Sequence, residues 1–215
     1  INTEDRSHFQ EAIRVASQSD VIVAVMGESE GMSGEAASRT NLDLPGVQKE
    51  FLAELRKLGK PIVLVLLNGR PLTLSWEAAN IDAILECWWP GTRGGDAIAQ
   101  TLFGMNNPSG KLPISFPKTV GQLPLYYNHK NTGRPYLGPT DPEQRFKSRY
   151  LDVDNAALFP FGYGLSYTTF SYGNFKVSDA KIPFDGTVTI SADVRNTGNV
   201  EGTEVVQFYV KDVTE

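Results

Sequence analysis

Cysteine and histidine are scarce in this sequence of 215 residues, which contains one cysteine, Cys87, and two histidines, His8 and His129. A single cysteine cannot form a disulfide within the chain, and no Cys/His cluster has the spacing of a zinc site. The sequence also lacks a phosphate-binding Gly-x-x-x-x-Gly-Lys-Ser/Thr loop and a dinucleotide-binding Gly-x-Gly-x-x-Gly turn after a strand. We therefore expect neither a metal nor a cofactor.

An excess of positive charge and a long hydrophobic run are also absent. The 20 Lys and Arg residues are outnumbered by 25 Asp and Glu residues, which gives a net charge of −5. Binding to nucleic acid or to an anionic membrane normally requires a basic patch, so neither partner is expected. The longest apolar runs, Val21–Met26 and Ile62–Leu67, are well short of the ~20 residues of a membrane-spanning helix. A hydrophobic share of 40% is nevertheless enough for a packed core.

The two ends lack the usual features of a complete chain. The sequence starts at Ile1 without a methionine or a signal peptide, and it stops at Glu215 directly after a strand-like run. A domain has roughly 100–200 residues, so the length fits about one and a half domains. We therefore expect a piece of a longer polypeptide.

Strand-like and helix-like patterns alternate through the first half of the chain. Apolar runs of strand length, typical of strands buried on both faces of a parallel sheet, occur at Val21–Met26, Ile62–Leu67 and residues 81–85. Patterns typical of helices occur at residues 4–19, 45–59 and 95–103, with Gly59 expected to end the second helix. This alternation predicts an α/β fold in which a mostly parallel sheet is sandwiched by helices.

The second half of the chain has a different character. Residues 105–165 are rich in Pro, Gly, Asn and Tyr, which predicts an extended segment that wraps the sheet or bridges to a neighbour. Strands are predicted at Thr187–Val194 and Glu204–Val210, joined by a hairpin at Asn196–Asn199. Because this region is far shorter than a β-sandwich of ~100 residues, we predict an α/β domain at 1–165 and an incomplete all-β module at 166–215.

The loop after the first predicted strand contains the best candidates for catalysis. Ligands of open parallel sheets bind beyond the carboxyl ends of the strands, and this loop carries Glu28, Glu30 and Glu35 among glycines and small residues. A carboxyl group can act as a general acid when burial or a second carboxylate raises its pKa towards neutrality. From the residues alone, however, a solvated acidic loop is the more common explanation.

Two adjacent tryptophans, Trp88 and Trp89, follow the third predicted strand. Neighbouring side chains at a strand end point in opposite directions, so at most one indole can face a pocket and stack on a sugar or a nucleobase. The other is expected in the core. The glycine-rich segment Gly91–Gly95 predicts a tight turn into the next helix rather than an anion site.

Five segments of the sequence together carry a recognisable pattern. They are Glu35–Pro45 (Glu-Ala-Ala-Ser-Arg-Thr-Asn-Leu-Asp-Leu-Pro), Leu66–Pro71 (Leu-Leu-Asn-Gly-Arg-Pro), Trp89–Gly95, Leu102–Pro113 and Phe159–Tyr167. In kind and in order these segments resemble glycoside hydrolase family 3, most closely its β-glucosidases of the bacterial periplasmic type. Each segment alone is a weak signal, but together they span nearly the whole chain and are highly specific.

The resemblance implies an enzyme of three parts: an N-terminal barrel, a C-terminal α/β sandwich and a fibronectin type III-like domain. Residues 1–165 resemble the sandwich, and residues 166–215 resemble the first strands of the fibronectin-like domain. In the family, the barrel supplies the aspartate nucleophile and most of the sugar subsite. None of those residues can be mapped onto this chain, so the chain alone is expected to be inactive.

The resemblance also implies roles for individual residues of the loop. The family's general acid/base is the glutamate that opens a Glu-x-x-Asp/Ser-Arg element, and this glutamate matches Glu35, with Glu30 and Glu28 as alternatives. Met32 and Ser33 would line the aglycone side of the site. Arg39 would pair with a carboxylate and hold the loop, or form a purely structural salt bridge.

The implied activity is that of a retaining, exo-acting β-glycosidase, above all a β-glucosidase that removes terminal non-reducing β-D-glucosyl residues. Its partners would be a β-linked oligosaccharide or glycoside and the barrel of the same polypeptide, and a homodimer of the full-length enzyme stays open. The implied location is periplasmic or secreted. The alternative is a non-catalytic structural or interaction module of a multidomain carbohydrate-active protein.

Overall fold

The computed structural model describes residues 3–130, 132–138, 140 and 145–211. The chain divides into two compact units. One contains the residues up to Gly94 together with Leu112–Gly162, and the other contains Gly95–Lys111 together with Tyr163–Val210. The predicted boundary at residue 165 stays a prediction.

The first unit is built on a parallel sheet of three strands in the order β1-β2-β3. The strands are β1 (Ile22–Gly27), β2 (Ile62–Leu67) and β3 (Ala83–Glu86). Ile22 is in register with Ile62, and Val63 is in register with Ala83. The parallel sheet predicted from the apolar runs is therefore confirmed, and the central strand β2 forms the middle of the core because most of its side chains are fully buried.

Three helices accompany these strands: α1 (Phe9–Ser17), α2 (Gln48–Arg56) and α3 (Ser75–Asn80). Phe9 of α1 packs on Phe51 of α2 with ring centroids 4.7 Å apart. Helix α2 begins three residues after Pro45 because residues 45–47 form a turn, in which the Gln48 N–H donates to the Pro45 carbonyl oxygen. Gly59 adopts φ +66° just beyond α2, as predicted for a helix-ending glycine.

The prediction that the first strand is buried on both faces is wrong. Ile22, Ala24 and Met26 are buried, whereas the alternate residues Val21, Val23 and Val25 are about half exposed, between 48% and 54%. Alternate side chains of a strand point to opposite faces of the sheet, and the core lies on the face to which Ile22, Ala24 and Met26 point. A continuous apolar run does not show that one face of the strand lies outside the core.

The extended segment was predicted at residues 105–165, either to wrap the sheet or to bridge to a neighbour. Most of it, Leu112–Gly162, belongs to the first unit and packs on its core. Phe116 forms an isolated bridge with Phe159 and is almost fully buried against Trp88, at a centroid distance of 5.7 Å. The buried Gln122 accepts a hydrogen bond from the Lys118 N–H at 2.6 Å and donates one to the Asp154 carbonyl at 2.8 Å. The Gln122 side-chain amide thus pairs with backbone N–H and C=O groups that no regular secondary structure satisfies here.

The second unit contains the remainder of α4 (Gly94–Leu102) and an antiparallel pair of strands, β4 (Phe170–Val177) and β5 (Ile190–Asn196). Phe170 is in register with Asn196, with a bulge between Gly173 and Lys176. The predicted hairpin at Asn196–Asn199 is wrong, because β5 pairs with β4 and residues 204–210 carry no strand. Asn196 instead organises a turn, accepting from the Gly198 N–H and donating to the Val200 carbonyl.

Candidate active site

The carboxyl ends of the three parallel strands bring three polar residues to one edge of the sheet. Glu28 directly follows β1, Asn68 directly follows β2, and Glu86 is the last residue of β3. The register pairs Gly27 with Leu67 and Leu66 with Glu86, so these ends are neighbours. In parallel α/β sheets this edge is where ligands bind.

The exit of the chain from β1 is fixed by a buried side chain of α2. Gln48 accepts a hydrogen bond from the Gly27 N–H and donates one to the Gly27 carbonyl, both at 2.8 Å. Gly27 has φ +132°, and a Cβ there would collide with the backbone of Leu67. The start of the loop that carries the candidate residues is therefore held from two sides.

Glu28 is the centre of an ion-pair network. Its side chain is fully buried, its Oε1 accepts a hydrogen bond from Arg39 Nη1 at 2.7 Å, and the same oxygen lies 3.0 Å from Arg70 Nε. Its Oε2 accepts from the Gly69 N–H at 3.1 Å and faces Ser33 Oγ at 3.4 Å. All of these contacts are donated to the carboxylate, and burial keeps it from a substrate, so the geometry favours an anchoring role for Glu28.

Arg70 connects this anchor to the loop. Its Nη2 donates to the carbonyl oxygens of Met32 and Ala37, the second at 2.9 Å, and lies 3.3 Å from Ser33 Oγ. The two carbonyls flank the segment that contains Glu35. One guanidinium group therefore touches the loop on both sides of the predicted acid/base.

Glu35 sits at the tip of a tight turn. The Ala37 N–H donates to the Gly34 carbonyl at 3.3 Å, so Glu35 and Ala36 are the two central residues of that turn. Gly34 has φ +118°, and Ala36 has φ +57°, which is unusual for a residue with a side chain. The Glu35 side chain is exposed, and among the described residues it has neither an ion pair nor a hydrogen-bond partner.

The other predicted residues of the loop are placed as follows. Glu30 is exposed at the start of a 3-10 turn, Glu30–Met32. Met32 and Ser33 are half-buried, and their polar atoms serve the network around Arg70. Arg39 pairs with Glu28, and its Nη2 donates to the Asp43 carbonyl at 3.1 Å, so it holds the distal end of the loop.

Glu86 has a perturbed carboxyl group that the sequence analysis missed. Burial raises its pKa to about 7, while hydrogen bonds from the Trp88 N–H and from Asn68 Nδ2 partly oppose that shift. The sequence did contain a signal for Glu86, because this glutamate directly follows the third apolar run, much as Glu28 follows closely after the first.

The two tryptophans separate as expected. Trp88 packs against the core beside Phe116, and Trp89 is 44% exposed. Trp88 achieves this with a left-handed backbone, φ +51°. A Cβ on Gly69 would lie 2.5 Å from Trp89 Nε1 and still closer to Ser33 Oγ, so a glycine is needed where these side chains meet.

Metal-binding clusters and membrane-spanning helices are both absent from the described residues. No group of three or more His, Cys, Asp or Glu side chains there is arranged to hold a metal ion. The same part of the chain contains no helix of the length and apolar character that crossing a membrane requires.

Comparison with known proteins places this geometry in context. The family model "Glycosyl hydrolase family 3 C-terminal domain" matches residues 2–167. The "Periplasmic beta-glucosidase" of Salmonella typhimurium is 56% identical over 206 residues, which cover 96% of this chain and 27% of that protein. A "Beta-xylosidase" of Formosa agariphila is 47% identical over 99% of this chain and 28% of its own length.

A solved structure has the same fold. The β-glucosidase from Listeria innocua in complex with glucose superposes with a TM-score of 0.91 at 39% identity. The match covers 98% of this chain and 29% of that one. The chain therefore spans less than a third of the length of each of these relatives.

Proposed function

The chain belongs to glycosyl hydrolase family 3, whose C-terminal domain it contains, and we propose that it supplies the general acid/base of a retaining, exo-acting β-glycosidase. The proposed residue is Glu35. The observation that carries the proposal is the contrast within one loop: Glu28 is buried and bound by two arginines, whereas Glu35 is exposed at the tip of a constrained turn.

An exposed carboxyl group at the carboxyl edge of the sheet can reach a bound glycoside, and a fully buried one cannot. Glu30 is exposed as well and stays the alternative, since it lies on the same loop. Glu35 is preferred because Arg70 holds the loop on both sides of its turn, whereas Glu30 precedes that clamp. A proton donor must be held in a fixed geometry to be effective.

The mechanism requires two carboxyl groups about 5–5.5 Å apart. A carboxylate on another part of the polypeptide would attack the anomeric carbon while the protonated Glu35 gives its proton to the glycosidic oxygen, so that the aglycone leaves as an alcohol. The Glu35 carboxylate then takes a proton from water as that water attacks the anomeric carbon. The sugar is released with retained configuration, and Glu35 is protonated again.

For the substrate we propose terminal non-reducing β-D-glucosyl residues of oligosaccharides or glycosides, and for the location the periplasm or the exterior of the cell. A relative named periplasmic β-glucosidase at 56% identity supports both. A relative named β-xylosidase makes a xylosyl group the competing substrate. Because the chain covers 27% of the first relative, we propose that the active enzyme is a longer polypeptide.

The proposal is tested by Glu35→Ala in the full-length enzyme, assayed on aryl β-glucosides of increasing leaving-group pKa. The kcat/KM value, which reports formation of the glycosyl-enzyme, should fall about 10²–10⁴-fold on poor leaving groups and much less on a dinitrophenyl glucoside, whose departure needs no proton. Glu30→Ala on the same loop is the matched comparison, and Glu11→Ala on α1 is the control for losing an exposed carboxylate. Full turnover of Glu35→Ala on poor leaving groups would refute the assignment; the same loss in Glu30→Ala instead would move the role there.

A further inference from the structure

A single arginine bridges the core and both sides of the turn that presents Glu35. We propose that Arg70, anchored by the buried Glu28, is a positioning residue that fixes the orientation of Glu35 for proton transfer. This inference rests on the proposed function of Glu35. It assigns the network a specific task instead of general loop stability.

The anchored side of Arg70 is rigid. Its Nε lies 3.0 Å from the fully buried Glu28 carboxylate, and its own carbonyl accepts a hydrogen bond at 2.9 Å from Asn68, which is fully buried directly after β2. The Gly69 N–H donates to the same Glu28 carboxylate. Both the backbone and the side chain of Arg70 are thus tied to the end of the central strand.

The free end of Arg70 reaches the loop. Its Nη2 donates to the carbonyls of Met32 and Ala37, which lie three residues before and two residues after Glu35. With only 19% of its side chain exposed, Arg70 makes these charge-assisted bonds largely out of water, where they are stronger. The turn is therefore clamped at both ends by one planar group.

The turn needs such a clamp because its backbone is strained. Ala36 adopts φ +57°, in a region that side chains disfavour, and such conformations persist only when the surroundings fix them. Arg39 cannot replace Arg70, because its second contact is with Asp43, at the far end of the loop. Loss of Arg70 should therefore let the Gly34–Ala37 turn relax and move the Glu35 carboxyl group.

The test is Arg70→Met in the full-length enzyme, since methionine keeps part of the stem but cannot donate. Misplacement of a catalytic group by about 1 Å costs on the order of 10²-fold. We expect such a loss in kcat/KM on poor leaving groups and only a small loss in kcat/KM on a dinitrophenyl glucoside, with a nearly unchanged KM for the poor leaving groups. Arg70→Lys should recover part of the loss, because the lysine ammonium group is still a cation that can donate to a loop carbonyl. Arg6→Met is the matched control, as Arg6 forms an exposed pair with Glu50.

A second variant keeps the test decisive if Arg70→Met does not fold. Gly34→Ala lies on the surface with no atom near the added Cβ, yet φ +118° is unfavourable for alanine, so it should distort the turn alone. It should show the same dependence on the leaving group, with an unchanged melting temperature. Losses that are equal for all leaving groups, or absent in both variants, would overturn the positioning role. Full activity of Glu35→Ala would instead refute the proposed function itself.

Discussion

Asn68 Nδ2 lies 3.3 Å from Oε2 of Glu86, and the two residues stand at the carboxyl ends of neighbouring strands. The Asn68 side-chain oxygen is buried and accepts no hydrogen bond among the described residues. Burial raises the pKa of Glu86 to about 7, so its charge changes near neutral pH. This edge of the sheet therefore combines a buried, ion-paired carboxylate, Glu28, with a second carboxyl group, Glu86, that titrates near neutral pH.

The first prediction concerns the pH dependence of stability. The pKa of Glu86 is raised in the folded protein from 4.5 to about 7, so its contribution to stability is fully present below pH 4.5 and is lost as the pH rises to about 7. That loss amounts to about 3 kcal/mol. Glu86→Gln removes the titration, and unfolding midpoints measured at about pH 5 and about pH 8 should differ less in the variant than in the wild type. An equal difference in both proteins would contradict the assigned shift.

The second prediction concerns Glu77, a carboxyl group inside the first unit. Glu77 is 1% exposed, and neither oxygen has a hydrogen-bond partner on another described residue. Burial raises the pKa of Glu77. The free-energy cost of keeping this group in the folded protein therefore grows as the pH rises above the ordinary pKa of a glutamate. Glu77→Met removes that cost and should stabilise the fold by about 1–3 kcal/mol at neutral pH, seen in chemical unfolding.

The matched control for Glu77 is Glu54→Met on α2. Glu54 forms an exposed pair with Lys57, and its loss should change the unfolding free energy by no more than about 0.5 kcal/mol. If Glu77→Met destabilises the protein, the carboxyl group has partners beyond those described, and its burial is not a cost.

The third prediction concerns the close packing at Gly69. An alanine Cβ there would lie 2.5 Å from Trp89 Nε1 and would also meet Ser33, so Gly69→Ala must displace the loop that follows β1 or the indole. The expected destabilisation is about 1–3 kcal/mol, measured as a lower melting temperature. Gly31→Ala on the same loop is the control, since nothing lies within 4 Å of its added Cβ. Equal melting temperatures for the two variants would show that the packing at Gly69 is loose.

Much of the first unit followed from local sequence patterns. The runs at β1 and β2 are apolar and of strand length, and Gly59, three residues after the end of α2, adopts a left-handed backbone that glycine takes easily. Helix α3, with six residues, is too short to show a helical period, so it was not predicted. In the second unit the turn signal at Asn196–Asn199 does not mark a hairpin, because β5 pairs with β4, which precedes it in the chain. Local sequence does not show which strand is the partner.

The candidate site was predictable in place but not in detail. The topological rule located the loop after β1, since all parallel strands present their carboxyl ends at one edge. The family resemblance preferred Glu35, but the residue pattern alone could not separate it from Glu28, because Glu28 acquires its partners from Arg39 and from Arg70, which is 42 residues away along the chain. The raised pKa of Glu86 likewise depends on burial by neighbours that are distant in sequence.

The most direct test of the central claim is the product formed by Glu35→Ala in the presence of azide. If Glu35 is the general acid/base, a dinitrophenyl β-glucoside still forms the glycosyl-enzyme, and azide attacks it without needing a base. Turnover should then rise with azide concentration, and nuclear magnetic resonance should identify β-glucosyl azide with retained configuration. Slow turnover that azide does not accelerate, with glucose as the only sugar product, would contradict the assignment of Glu35.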